Sequence, residues 1–271
     1  MRHPFLLCLI VATFCSCGQS TDATDASEIS PEVPSIASLP ADSLNELYQK
    51  YASAREDFLP TQRRPEVGKL NPVDEAPLDT AFFIFREQLL EAVRNKDVFH
   101  LLEITDEHIK CSFGAENGIP DFVKMWQLDS PESTKQSEIW STLENILIQG
   151  GTFSNKRKTF IAPYIFSIFP DKYDAFEYGA VAGRGVRLRD RPSLQSTVIK
   201  TISYDIVKII KEASMPETIG DQTFPWLEVE LLDGTKGFIF GQFVGRPIEW
   251  RAIFSINDKG QWRMVTLVAG D

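Results

Sequence analysis

The chain has 271 residues, 43% of them apolar and 11% aromatic, with 19 phenylalanines, so it can fill one large or two small cores. Its formal charge of −10 excludes a broad nucleic-acid-binding face and electrostatic adhesion to anionic lipid, both of which need clustered Lys and Arg. In chain order, residues 1–16 start basic (Met1-Arg2-His3), run apolar from Phe5 to Phe14 and end in Cys15-Ser16. That pattern predicts a secretory signal rather than a membrane span, which takes about 20 apolar residues. Residues 17–41 are rich in Ser, Thr, Asp, Glu and Pro and are expected to be a flexible tether. Residues 42–78 are expected to be a helix followed by a loose Pro-rich linker. Ser43 and Glu46 have capping-box spacing, Leu44, Leu47, Tyr48 and Tyr51 share a helical face, and Pro60, Pro65, Pro72 and Pro77 follow.

The fold class expected for the remainder is α+β. Residues 79–178 form a helix-rich α+β domain. Phe82, Phe83, Leu89, Leu90 and Val93 recur at helical spacing over 80–95, and 98–104 predicts a second short helix. A strand is expected over 108–113. Pro120 opens a helix carrying Phe122, Met125 and Trp126, and another spans about 137–149, stopped by Gly150-Gly151. Residues 158–168 read as extended. From Gly179 to residue 248 short alternating runs punctuated by Pro and Gly predict strands, with Asp233-Gly234 at a hairpin. Residues 249–271 predict a second hairpin around Asn257 to Gly260.

Cys17 follows Ser16 at the end of the leader, and this arrangement resembles the lipobox of bacterial lipoproteins. The resemblance implies cleavage before Cys17, its acylation (palmitate or a similar chain) and a lipid-anchored protein of the cell envelope. The Gly18 that follows favours the outer over the inner membrane, with the body facing the periplasm or the surface. The ordinary alternative is a secretory cut near Ser16 that leaves a free thiol. Cys8 and Cys15 leave with the leader, so acylation of Cys17 would leave Cys111 without a disulfide partner.

Residues 180–245 resemble a bacterial SH3-like domain. The motifs are Gly185-Val186-Arg187-Leu188-Arg189, Arg191-Pro192-Ser193, Val198-Ile199 and Asp205 to Ile209, then Trp226-Leu227-Glu228-Val229, Asp233-Gly234, Lys236 to Ile239 and Gly241 to Val244. The resemblance implies a small barrel of five to six strands that binds wall peptides or an envelope partner. The candidate surface is Tyr204, Trp226, Phe238 and Phe243 with the 212–225 loop, joined by Arg187 and Arg189. The competing expectation is that these aromatics fill the barrel, because a small barrel needs its large residues inside. Residues 81–180 look like the region that precedes SH3-like domains in some bacterial lipoproteins. The final hairpin resembles the last strands of cone-shaped nuclear-transport-factor-like and SnoaL-like domains. One arrangement is therefore a barrel inserted into an α+β domain that 249–271 returns to complete; the other packs that hairpin on the barrel.

Reaction chemistry is sparse. His108 and Cys111 are the closest His–Cys pair, short of the three or four ligands a metal needs, and no histidine follows Cys111 to act as its base. Cys111 is expected to be a buried small hydrophobe. No cofactor, metal or nucleic-acid partner is expected. The predicted role is non-enzymatic binding or structure in the envelope, with peptidoglycan or an envelope protein as partner. The alternative is an envelope enzyme or small-ligand binder with a site in the cleft of the α+β region.

Overall fold

The computed structural model describes residues 36, 39–55, 59–213 and 215–270. The leader, Cys17 and nearly all of the 17–41 tether lie outside the described residues.

Helix α1 (Ala41–Ser53) begins after Pro40, so Ser43 lies inside it and the expected capping box does not form its start. Its apolar stripe lies on α2 through Tyr48 and Phe83, with ring centroids 4.8 Å apart, and Tyr51 Oη donates to Glu91 at 3.1 Å. The 59–78 segment is not the loose linker expected. Leu70, Val73 and Ala76 are buried, Leu70 N–H donates to Tyr204 O, and Lys69 Nζ meets Asp205 at 2.6 Å. The prolines shape this segment without freeing it from the body.

Helix α2 (Thr80–Asn95) starts at Asp79, whose carboxylate accepts from Phe82 N–H, and ends at left-handed Lys96. Ten of its residues are buried, including Phe82, Phe83, Leu89, Leu90 and Val93, which makes it the central helix. Next come α3 (Val98–Ile104), β1 (Thr105–Lys110) and α4 (Ile119–Met125), which has Pro120 in its first turn, then α5 (Pro131–Gln136) and α6 (Ile139–Ile148). The short α5, capped by Ser130, lies in a stretch where the periodicity predicted nothing. Beyond α6 the chain passes Gly150-Gly151. A side chain at Gly151 would put its Cβ 2.2 Å from the Ile161 carbonyl oxygen, so glycine is required for β2 (Thr152–Ser154) to lie on β3 (Thr159–Ala162). The extended run expected over 158–168 is half right: β3 gives way after Pro163 to a single helical turn, α7 (Tyr164–Ser167).

Strands β4 (Tyr178–Val181), β5 (Val186–Arg189), β6 (Val198–Ile202) and β7 (Ile206–Glu212) follow. The 212–225 stretch contains a two-stranded hairpin, β8 (Glu217–Ile219) and β9 (Gln222–Phe224), in place of the expected loop. Then come β10 (Trp226–Leu231), β11 (Lys236–Phe240) and β12 (Val244–Gly245), and finally β13 (Arg251–Ile256) and β14 (Trp262–Val268).

Two large sheets result, and the fold is mixed α+β. One has the order β1-β14-β13-β3-β2, with β1 parallel to β14 and the other neighbours antiparallel. The C-terminal hairpin is thus the centre of the sheet that the first region begins, with Phe254 opposite Phe160. The second sheet is antiparallel throughout, in the order β12-β4-β7-β10-β11-β5-β6. It has seven strands, not five or six, and it does not close. Strands β12 and β6 stand at its edges, because the two-residue β12 pairs with β4 alone and β6 with β5 alone. The closed barrel expected from sequence is therefore replaced by an open sheet. Its core is Val181, Val186, Leu188, Ile202, Val207, Leu227, Val229, Leu231, Ile239 and Val244.

Candidate functional site

The six binding residues expected from sequence do not form one surface. Tyr204 occupies the turn into β7 in a left-handed conformation (φ 61°), held by Leu70 N–H on its carbonyl and by Arg184 Nε on its hydroxyl at 3.1 Å. Arg189 is buried and donates to the Ser196 carbonyl at 2.7 Å, so it props the 190–197 turn. Arg187, two residues earlier, is exposed. The basic cluster of Arg184, Arg187, Arg189 and Arg191 is thus divided among separate local tasks.

The aromatics behave differently from the barrel-filling expectation. Strand register sets Trp226 opposite Phe240, Glu228 opposite Phe238, and Phe238 opposite Arg189. Alternation places these residues on one face of the sheet, and Leu227, Val229, Ile239 and Leu188 on the other, which is the core. Trp226 and Phe240 are nonetheless buried, because the β8–β9 hairpin folds back over them. Trp226 Nε1 donates to Glu217 of β8, and Phe224 of β9 meets Phe240 at 5.9 Å, edge to face. Phe243 joins through Phe240 at 6.5 Å and is 40% exposed, and Phe224 is 36% exposed. Of the expected set, Trp226 and Phe243 therefore meet through Phe240, while Phe238 is half-buried farther along that face.

Beside this cluster runs a groove of about 640 Å³. One wall is α6, through Thr142, Asn145, Ile146 and Gln149, continued by Pro163 and Ile165. The opposite wall comes from the β8–β9 hairpin, through Gln222, Phe224 and Pro225, and from the second sheet and its 3-10 turn, through Leu227, Gln242 and Val244. Trp250 lines it just before β13 and meets Trp126 in a tilted contact at 4.7 Å. Three charged groups line it. Arg246 Nη2 meets Glu212 at 3.4 Å, and the Glu249 carboxyl is pushed above the usual carboxylate range by desolvation, which the neighbouring Arg246 only partly opposes. Glu249 lines the groove and is exposed as a residue.

A second cleft, about 560 Å³, lies between α1 and α2 and is lined by Lys50, Tyr51, Arg55, Glu87, Glu91 and Arg94. Beneath it Arg86, 1% exposed, donates to both oxygens of Asp74 at 2.7 and 2.6 Å and to Glu87 at 2.9 Å. These carboxylates hold the Arg86 pKa above its ordinary value against the desolvation that would lower it. The interior between α2 and its sheet is filled: Phe82 packs on Phe85, Phe153, Phe160, Phe254 and Trp262 at centroid distances of 4.3 to 5.9 Å. Cys111 is buried with its thiol pushed up by desolvation, and His108 is exposed. Among the described residues, no three His, Cys, Asp or Glu side chains converge as metal ligands, and no helix is long and apolar enough to cross a membrane.

Sequence reasoning missed the groove. Its walls come from residues 142–165 and 212–250, and no local pattern marks two segments that meet in space. The nearest signal was Gly241-Gln242-Phe243, read as a closing strand, which forms a single 3-10 turn at the groove edge. Scans against protein-family models, curated proteins and solved structures find no match to the chain.

Proposed function

We propose that the protein is a lipid-anchored component of the cell envelope, held through Cys17, that binds a wall or protein partner without catalysis. In this reading the seven-stranded sheet acts as an SH3-like binding module, and peptidoglycan or an envelope protein is the partner. The observation that carries the reading is the groove between α6 and that sheet. Its volume lies within the range of about 300–1,000 Å³ usual for ligand sites. Its lining of side-chain amides over aromatic and aliphatic surface suits recognition of a chain of peptide groups. Co-sedimentation of the mature chain with isolated sacculi and with envelope extract tests it. Binding should fall when Gln242→Trp narrows the groove and when Phe224→Ala strips its part-exposed ring. Unchanged binding in both folded variants would overturn the groove reading, and mass spectrometry that finds Cys17 unmodified would remove the anchor.

The α1–α2 cleft supports the second reading, an envelope enzyme or small-ligand binder, because Glu87, Glu91, Arg94 and Arg55 converge there. Loss of a measured turnover or ligand signal in Glu91→Gln with sacculus binding intact would favour it.

A further inference from the structure

We propose that the α6–sheet groove docks an extended segment of a partner protein through a cationic side chain seated at Glu249 and Glu212. This rests on the binding reading above and names the partner's chemistry. The charge balance at the groove carries it. Two carboxylates face one guanidinium there, and the closest Arg246–Glu212 approach is a loose 3.4 Å at a solvent-exposed rim. An anionic ligand would meet an excess of like charge. A neutral one would leave the excess carboxylate charge of Glu249 and Glu212 over Arg246 without compensation. An ammonium or guanidinium supplies that compensation, because an opposite charge within about 4–6 Å favours the ionised carboxylate. The rest of the groove fits a peptide chain. Asn145 and Gln149 on one wall and Gln242 on the other offer amide donors and acceptors, and Trp250 gives the aliphatic stem of a long basic side chain a flat apolar surface. The chain's net charge of −10 adds a long-range field that draws a basic segment in.

The test uses the full mature chain and a bead-bound library of blocked hexapeptides. Lys and Arg should be enriched at one position, and a selected peptide should lose about tenfold in affinity when that residue becomes Gln, the scale of one charge-assisted contact. Glu249→Gln and Glu212→Gln should each erase the preference, and Glu249→Lys should shift enrichment toward Asp and Glu. Both positions, Glu212 and Glu249, are exposed, and retained circular dichroism and melting temperature confirm the fold. Enrichment without a basic preference, an unchanged preference in Glu249→Gln, or no library binding at all would each overturn the proposal. Sacculus co-sedimentation that is sensitive to Gln242→Trp would in each case leave the broader binding reading standing.

Discussion

The two sheets of this molecule are stabilised in different ways. The sheet completed by the C-terminal hairpin packs against α2 through an aromatic core, in which Phe82, Phe85, Phe153, Phe160, Phe254 and Trp262 meet in tilted and edge-to-face pairs. The seven-stranded sheet folds around Val, Leu and Ile, and its buried rings, Trp226 and Phe240, lie on the opposite face under the β8–β9 hairpin. The lesson is geometric. A helix held off a sheet leaves a deep layer that rings can fill, at about 0.5–1.5 kcal/mol per favourable aromatic pair beyond area burial. A strongly curved small sheet packing on itself leaves a thin layer suited to branched aliphatics, and it exports its rings to a surface that an added hairpin can cover. The groove runs beside that covered surface, lined by Phe224 and Pro225 and by Leu227 and Val244 from the aliphatic side.

The largest test of this contrast is Phe82→Ala, which removes a ring touching five others. It should cost about 3–5 kcal/mol in denaturant unfolding, against about 2–5 for Leu188→Ala in the aliphatic core. If Leu188→Ala proved clearly the costlier, the aromatic layer would not be the main store of stability. A comparable loss is expected for Asp74→Ala. It strands the fully buried Arg86 with one carboxylate fewer and should cost about 3–5 kcal/mol, whereas replacing both with apolar residues should cost far less. A double-mutant cycle checks this.

Trp226→Phe keeps a ring but removes the bond to Glu217. It should cost about 1 kcal/mol and raise amide exchange in β8 and β9 without changing exchange in β10 or β11. Equal protection loss in the core strands would mean that the hairpin is part of one cooperative unit with the sheet. The smallest effect concerns α1. Tyr51 is pushed up to about 12, first by burial and then by its bond to the Glu91 carboxylate, so the folded state favours the neutral phenol. Its contribution is complete below the ordinary tyrosine range near pH 10 and is lost as pH rises through about 12. Ultraviolet tyrosine titration of Tyr51→Phe should lack the component that ionises near pH 12, while the more deeply buried Tyr164 still ionises later. Superimposable curves would show that α1 does not hold this residue.

Much of the helical half was legible because its signals are local. Asp79 before an apolar stripe, Pro120 at a first turn and Gly150-Gly151 after α6 all act within a few residues, and α2, α4 and α6 fall within a residue or two of the spans read from them. The β-half was legible as strands and less so as architecture. Alternation marked strands around Trp226 and Phe238 and could not tell which of their faces is the core. Here volume arguments for a closed barrel misled, because the β8–β9 hairpin buries Trp226 and Phe240 from outside. The 59–78 segment was misread for the same reason. Its prolines forbid regular structure but do not forbid burial, and Leu70 and Val73 are buried in a cluster with Tyr164 and Ile206.

Composition, caps and periodicity by themselves determined that this is a mixed α+β protein with a helix-rich first part and a strand-rich second, since those features depend on neighbours along the chain. Tertiary structure alone decided that β13 and β14 return to pair with β3 and β1, that the seven-stranded sheet stays open, and that α6 faces Gln242 and Val244 across a groove. Each of those outcomes turns on which distant apolar faces exclude water together, and that free energy belongs to pairs of surfaces rather than to any stretch of sequence.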